Sequence, residues 1–399
     1  MRLNAVIAGA GMTPFGKHLD KSLKWLAGQP VLAALDDAGL SIGDVEAVYS
    51  GNCAAGLVTG QESIRGQVAL LDIGLGRVPI INIENACGSG STALNQAAMM
   101  VSAGCYDVVV AVGFEKLYHV DKAVSYAALG GAVDVEERDR FMSGHTEGSG
   151  KDRSVFVDFY GELAREHMAA CGSTLEHFAM VTAKNSVHGS LNPNAQFRNA
   201  MTVEEVLAAP VVSAPLTRPM LCPLGDGGAA AVIVSERKAR RLGLSKPVRL
   251  AASVVQSYFE HPPKAADNVT SMTIARAYHD AGVGPEDLNV VELHDSSSVM
   301  ELLSYGHLGL AKPEDCVALL AQGHTRLGGR IPVNTSGGLL RKGHPVGATG
   351  LAQVFEITRQ LQGRAGARQA QGAKVGLTHN GGGNIRGEVA AMNVSILVR

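Results

Sequence analysis

Charge is what this sequence has least of. Charged side chains make up 18% of the 399 residues, the formal net charge is −2, and no basic cluster stands out. A nucleic-acid partner would need a basic patch, so that class is excluded. Cysteine is scarce too: six residues, at 53, 87, 105, 171, 222 and 316, with no CxxC pair. Such spacing argues against a metal site and a small disulfide scaffold, and fits a reduced, cytoplasmic setting. No apolar run is long enough to cross a bilayer, so no membrane partner is expected. The opening MRLNAVIAGAGMTPFG is broken by glycine and reads as a strand entering a turn rather than a leader. The closing SILVR is neither a peroxisomal nor an ER-retention address.

What the chain does have is glycine, 48 residues, and a hydrophobic fraction of 46%. Length favours two or more domain-sized units. Apolar β-branched runs (VEAVYSG, VPIINI, YDVVVAVG, AAAVIVS, VRLAASVV, NVVELHD, KVGLTHN) alternate with small-residue helical stretches such as STALNQAAMMVSAG and GLAQVFEITRQLQG. Alternation of this kind predicts α/β architecture with buried, mostly parallel strands.

The chain also repeats. ALDDAGLSIGDVEAVYSGN at 34–52 matches AYHDAGVGPEDLNVVELHD at 277–295, with six identities at a constant offset of 243, among them Asp37 with Asp280, Gly39 with Gly282 and Asp44 with Asp287. Each half later carries a small-residue turn opening a helix, NACGSGSTAL and PVGATGLAQVF. Two similar α/β halves follow, 1–246 and 247–399. The polar, irregular stretch at about 118–210 reads as an insertion in the first half, of the kind that carries substrate contacts.

Cys87, at the mouth of one such turn, admits three readings. Free cysteines are often small buried hydrophobes, which is the expectation for the other five. GSGSTA fits GxGxxA, with Glu115 about where a ribose partner would fall, but it is not the first strand–helix turn of its domain. A thiol at a helix start feels unpaired N–H groups and the positive end of the dipole, which favour a thiolate nucleophile. The adjacent glycines would let a substrate carbonyl approach. The matching turn of the second half lies beside His344, and pseudo-twofold halves would bring a general base to the thiol.

NACGSGSTAL, VELHD, NTSGGLLRKGHPVGATGLAQ and THNGGG together resemble the active-site loops of the thiolase superfamily, nearest to its sterol-carrier-protein type. YGELAREHMAACGSTLEHFAMVTAKNSVHGSLNPNAQF and CPLGDGGAAAVIVSE resemble that branch as well. The resemblance runs nearly end to end, with no appended lipid-transfer domain. It implies a thiolase fold, two α/β halves with central mixed sheets in five layers, plus the inserted loop domain. It implies that Cys87 accepts an acyl group from a coenzyme A thioester, which is a substrate rather than a bound cofactor. His344 would take the thiol proton and then help bind the thioester oxygen. His294 would contribute to an oxyanion hole, and the backbone N–H groups of Cys87 and Gly381 would form another. Asn334 and His145 are expected at the substrate, Asn334 also ordering the turn that leads to His344. A homodimer or dimer of dimers is implied, and some relatives work with a small zinc-ribbon/OB-fold partner.

Two departures stand out. Where many thiolases carry a second cysteine in the C-terminal loop, this chain has His379. Where the sterol-carrier type reads HDCF, it has HDSS, with Ser296 at the acid/base position. A hydroxyl is a poor base for an α-carbon proton unless His294 or His379 assists. The expected activity is acyl transfer that makes or breaks a carbon–carbon bond of a 3-ketoacyl-CoA or related ketone. A retro-aldolase needing no acyl-cysteine, and an acyl-CoA-binding subunit that relies on another protein, are the alternatives.

Overall fold

A computed structural model describes residues 3–143, 145, 148–244, 246–262 and 265–399. Its strands are β1 (Val6–Met12), β2 (Ala47–Gly51), β3 (Ile80–Ile83), β4 (Val108–Glu115), β5 (Val211–Ser213), β6 (Leu216–Thr217), β7 (Gly227–Val234), β8 (Val248–Ser257), β9 (Val290–Glu292), β10 (Val375–Ile385) and β11 (Glu388–Val398). The helices that matter here are α1 (Leu23–Ala38), α2 (Ser89–Ser102), α3 (Val155–Cys171), α4 (Leu175–Ser190), α5 (Val269–Ala281), α6 (Ser298–His307) and α7 (Thr349–Gln362).

The central apolar runs become strands because they are buried on both faces. Every residue of β4 (VVVAVGFE) and of β7 (GGAAAVIV) is buried, as strands covered on both sides must be. The repeat has a physical basis at two of its matched pairs. Helices α1 and α5 both end on a left-handed glycine, Gly39 at φ +65° and Gly282 at φ +69°, a conformation that glycine adopts without a Cβ penalty. One turn later, Asp44 accepts the Ser41 N–H at 3.0 Å and Asp287 accepts the Gly284 N–H at 2.8 Å. Each aspartate caps the short turn that delivers β2 or β9.

Strand order extends the symmetry. The nine strands run β3-β2-β4-β7-β1-β8-β11-β10-β9, and Val333 bridges β9 in parallel, as β3 does β2. The two expected sheets are joined, because β1 and β8 pair through Val6 with Arg249 and Ile7 with Val248. The layers are helix, sheet, helix, sheet, helix. α1 covers one outer face with Leu26, Val31 and Leu35, and α5 covers another with Ile274 and Ala277. Between the sheet halves, α2 and α7 share a core of Ala93, Leu94, Ala97, Leu351, Ala352 and Ile357.

The insertion occupies one connection. In the second half β10 turns into β11 through Arg386 and Gly387, both at positive φ, the backbone of a tight hairpin. In the first half the matching passage from β4 to β7 runs through α3 and α4.

Glycine lets α2 and α7 meet at their N-termini. A Cβ on Gly113 would lie 2.3 Å from the Gly347 carbonyl oxygen, and one on Gly90 would lie 2.6 Å from it. Replacing Gly113 with alanine should therefore cost about 2–3 kcal/mol by overpacking. Gly172→Ala, at φ +67° in open space, should cost only about 1 kcal/mol. Thermal denaturation showing equal losses would count against this close crossing.

Candidate active site

Cys87 sits in a single turn, Ala86–Gly88, between β3 and α2. Ala86 takes a left-handed φ of +46°, which costs a residue with a Cβ about 1–2 kcal/mol. Local bonds hold it there. Ser89 Oγ donates to the Ala86 carbonyl at 2.6 Å and accepts the Asn85 N–H at 3.0 Å. The glycines after Cys87 turn out to serve packing. A Cβ on Gly88 would lie 2.7 Å from Asn393 Nδ2, and Gly90 meets Gly347; these are contacts between elements rather than access for a substrate.

The second half places its histidines against the thiol. One ligand-type atom from each of Cys87, His294 and His344 lies within 4.8 Å of the other two. The imidazoles of His294 and His344 meet edge-on, with centroids 5.1 Å apart. Thr349, the first residue of α7, donates its hydroxyl to the Pro345 carbonyl and lies 2.7 Å from His344 Nδ1. Its one proton is thus committed, so it accepts from Nδ1–H and leaves Nε2 of His344 as the free base. Sequence reasoning missed Thr349, although TG at the start of a helix offered the signal.

Burial sets the protonation states. It pushes the Cys87 thiol up to about 12, with the charge of Glu115 adding to the effect, while the Gly383 N–H and its own N–H pull the other way. The expected neutral-pH thiolate is therefore corrected: desolvation outweighs the helix start. Burial, helped by Lys342, drives His344 down to about 3, and burial with His344 as neighbour holds His294 well below the ordinary range. Both imidazoles are neutral, and His344 is free to accept a proton.

Glu115 is a bracket between the halves rather than a ribose partner. It accepts the Gly347 N–H at 3.0 Å, the Cys53 N–H at 3.1 Å and Asn52 Nδ2 at 3.1 Å. Burial raises its carboxyl to about 7. Asp295 plays the matching part for the loop of His294 and Ser296. It accepts the Leu339 N–H at 2.7 Å and Asn185 Nδ2 at 2.9 Å.

Cys87, His294, Ser296, His344 and Gly381 all line one cavity of about 770 Å³. Three sequence-derived positions do not. Asn334 is fully buried, at φ +55°, donating to Glu301 at 2.8 Å and accepting the Leu293 N–H at 2.9 Å; it orders the loop and touches no substrate space. His145 lines a separate depression with Phe141, Phe159 and Glu162. His379 lies behind the wall: the His294 and His307 imidazoles add to the burial that drives it down to about 3. Neither of its ring nitrogens has a hydrogen-bond partner among the described residues.

The cavity also holds residues that the sequence reading passed over. Gly383, at φ +66°, lines the cavity with Cys87, its N–H favouring the thiolate. Tyr160, on α3, lines the cavity together with Ser296. Cys222 lines the same wall, its N–H donating to the Ser296 carbonyl at 3.0 Å. The expectation that five cysteines are buried core residues is corrected as well. Only Cys316 is buried; Cys105 is exposed, and Cys53, Cys171 and Cys222 are intermediate.

Comparison with known proteins finds relatives over nearly the whole chain. The family description "Thiolase, N-terminal domain" matches residues 5–237, and "Thiolase C-terminal domain-like" matches residues 252–395. The benzoylsuccinyl-CoA thiolase subunit BbsB of Thauera aromatica is 35% identical, over 95% of both chains. The acetyl-CoA acetyltransferase of Methanothermobacter thermautotrophicus is 36% identical over 99% of both. Sterol carrier protein 2 of Rattus norvegicus is 36% identical over 94% of this chain and 69% of its own. Among solved structures, the Ltp2-ChsH2(DUF35) aldolase superposes with a TM-score of 0.79 at 22% identity, covering 99% of this chain and 98% of that one.

The half-buried thiol, its pKa raised by desolvation, has a direct chemical readout. Iodoacetamide at pH 7 should label exposed Cys105 before Cys87 in the substrate-free protein, as peptide mapping would show. Faster labelling of Cys87 would mean that a thiolate does persist there.

Proposed function

The chain belongs to the thiolase family, and we propose that it works as a thiolase-type acyltransferase through Cys87, forming or cleaving a carbon–carbon bond of a 3-ketoacyl-CoA or related ketone. The observation that carries the reading is the cluster of Cys87, His294 and neutral His344 on one cavity wall.

Cys87 attacks the ketone or thioester carbonyl as its proton passes to Nε2 of His344. The resulting oxyanion meets the N–H groups of Cys87 and Gly381, His294 serving a second oxyanion hole, and each such donor is worth about 3–4 kcal/mol to the transition state. Collapse leaves an acyl-Cys87. An acyl group lies against Leu129, Phe156, Val212 and Leu221, all on the cavity wall. Lys17, Lys122 and Arg218 on the same cavity suit the phosphates of coenzyme A. A volume near 770 Å³ is ample for a bulky acyl chain.

Beyond the active site, residues 1–246 and 247–399 are read as the two thiolase halves, in a reduced, cytoplasmic setting. The relative from Thauera is named as a subunit, which supports a partner protein such as a small zinc-ribbon/OB-fold chain. β3 ends the sheet with one edge unpaired and its isoleucines half-buried. An open edge of that kind invites pairing, so a homodimer forms across it. Light scattering should give at least a dimer at micromolar concentration; a stable monomer would overturn the pairing.

Incubation with a panel of acyl-CoA thioesters, followed by intact-protein mass measurement, tests the chemistry. One acyl adduct should appear in the natural protein and none in Cys87→Ala. His344→Ala should slow adduct formation about 10²–10⁴-fold, the usual worth of a general base. Because the reactive pair is a neutral thiol and a neutral imidazole, with limits at about 12 and about 3, the acylation rate should be flat from pH 5 to 9. A fall on acidification through pH 6.5 would instead place an ordinary histidine in the step. Full activity of Cys87→Ala on a true substrate would leave retro-aldol cleavage as the reaction.

A further inference from the structure

Carbon–carbon cleavage through Cys87 leaves a carbanion on the departing α-carbon, and that carbon needs a proton. Cys87 and His344 cannot supply it, since the proton taken from the thiol must stay on His344 for the sulfur's later departure. Ser296 stands at the position where the resemblance implies an acid/base thiol, and its hydroxyl by itself is a feeble acid and base.

Tyr160 comes near that position from the inserted segment. It lies on α3 and lines the same cavity as Cys87, His294, Ser296 and Cys222, with the Ser296 side chain near enough to favour its phenolate. The ring is held between Phe156, stacked at 6.4 Å, and Phe159 at 5.6 Å. The root of the helix is anchored where Asp158 meets Arg153 at 2.8 Å and Ser213 Oγ at 3.0 Å. A phenol is thus held on the same cavity wall as the position of the missing thiol.

We propose that Tyr160, working beside Ser296, is the acid and base for the α-carbon and for the incoming thiol. The proposal rests on acyl transfer through Cys87. In cleavage, the C2–C3 bond breaks, its electron pair stays on C2, and the Tyr160 O–H gives its proton to that carbon. The phenolate then takes the S–H proton of an incoming coenzyme A. The freed thiolate attacks acyl-Cys87, and the Cys87 sulfur leaves and recovers its proton from His344. Every proton is accounted for, and no co-reactant beyond coenzyme A is required. Burial holds Tyr160 above the ordinary phenol range. It is therefore fully protonated when the carbanion forms, and strongly basic once it has reacted.

The experiment separates two half-reactions. Acylation of Cys87 by a plain acyl-CoA needs no α-carbon proton. Exchange of α-hydrogens of that thioester with deuterated water, and cleavage of a 3-ketoacyl-CoA, both do. Tyr160→Phe keeps the ring and should still form acyl-Cys87, slowed because the coenzyme A thiolate then departs without the Tyr160 proton, but slowed far less than exchange, since a thiolate can leave unprotonated. The variant's α-exchange and cleavage should fall by at least about 10²-fold, the lower end of general acid–base worth. Adding Ser296→Cys to Tyr160→Phe places a thiol at the same spot and should restore exchange. Unchanged exchange in Tyr160→Phe overturns the proposal, as does loss of exchange in Cys222→Ala while Tyr160→Phe retains it. Absence of any acyl-Cys87 in the natural protein would instead sink the acyl-transfer reading beneath it.

Discussion

A single carbonyl oxygen, that of Gly347, sets the geometry on which this protein depends. It lies where Gly90 and Gly113 would each carry a Cβ, and Gly350 in turn meets Ser91. The two halves therefore cross backbone to backbone at the helix starts that bear Cys87 and follow His344. Any side chain there would push the sulfur and the imidazole apart. Glu115 locks the same crossing from the side by accepting N–H groups from both halves. The left-handed Ala86 is a cost the turn accepts so that the sulfur can face the second half.

The crossing is largely buried, and burial governs the chemistry. Burial disfavours charge on thiol and imidazole alike, so the resting pair is neutral and charge separates only as a carbonyl is attacked. Deeper charges are matched with partners. Lys184 lies 2.6 Å from Glu301, and Lys342 lies 3.4 Å from Glu292, all four fully buried. Pairs of this kind add little net stability. What they do here is hold loops: Glu301 grips Asn334, and Glu292 grips Ser336.

Much of this was legible in the sequence because it was written in local chemistry. The repeated Asp44 and Asp287 cap equivalent turns, and the β-branched runs at β4 and β7 fall in doubly buried strands. Cys87, His294, Ser296, His344 and Gly381 were legible as loop motifs, and they converge. The misreadings have one cause in common, which is that direction is not encoded in spacing. Nothing in the one-dimensional pattern says that Asn334 and His379 point away from the cavity, or that His145 belongs to a neighbouring hollow. Nor does it say that Tyr160, from a helix whose pattern reads as packing, points in. The thiol's ionisation failed for a related reason: a helix start is visible in sequence, whereas desolvation depends on everything that folds over it.

The nearness of the Gly383 N–H to Cys87 also bears on how the protein is made. The donor lies on β10, near the end of the chain, and β1 at the start pairs with β8. Contacts so distant in sequence form slowly, after long loops have closed. On the ribosome, residues 1–246 can be fully exposed while the surroundings of Cys87 are still unbuilt. Through that interval the thiol has neither His344 as a base nor the donors of β10, and it behaves as an ordinary solvated cysteine. Its reactivity toward substrate begins only when the last strands dock, so a truncated chain carries the nucleophile without the catalyst.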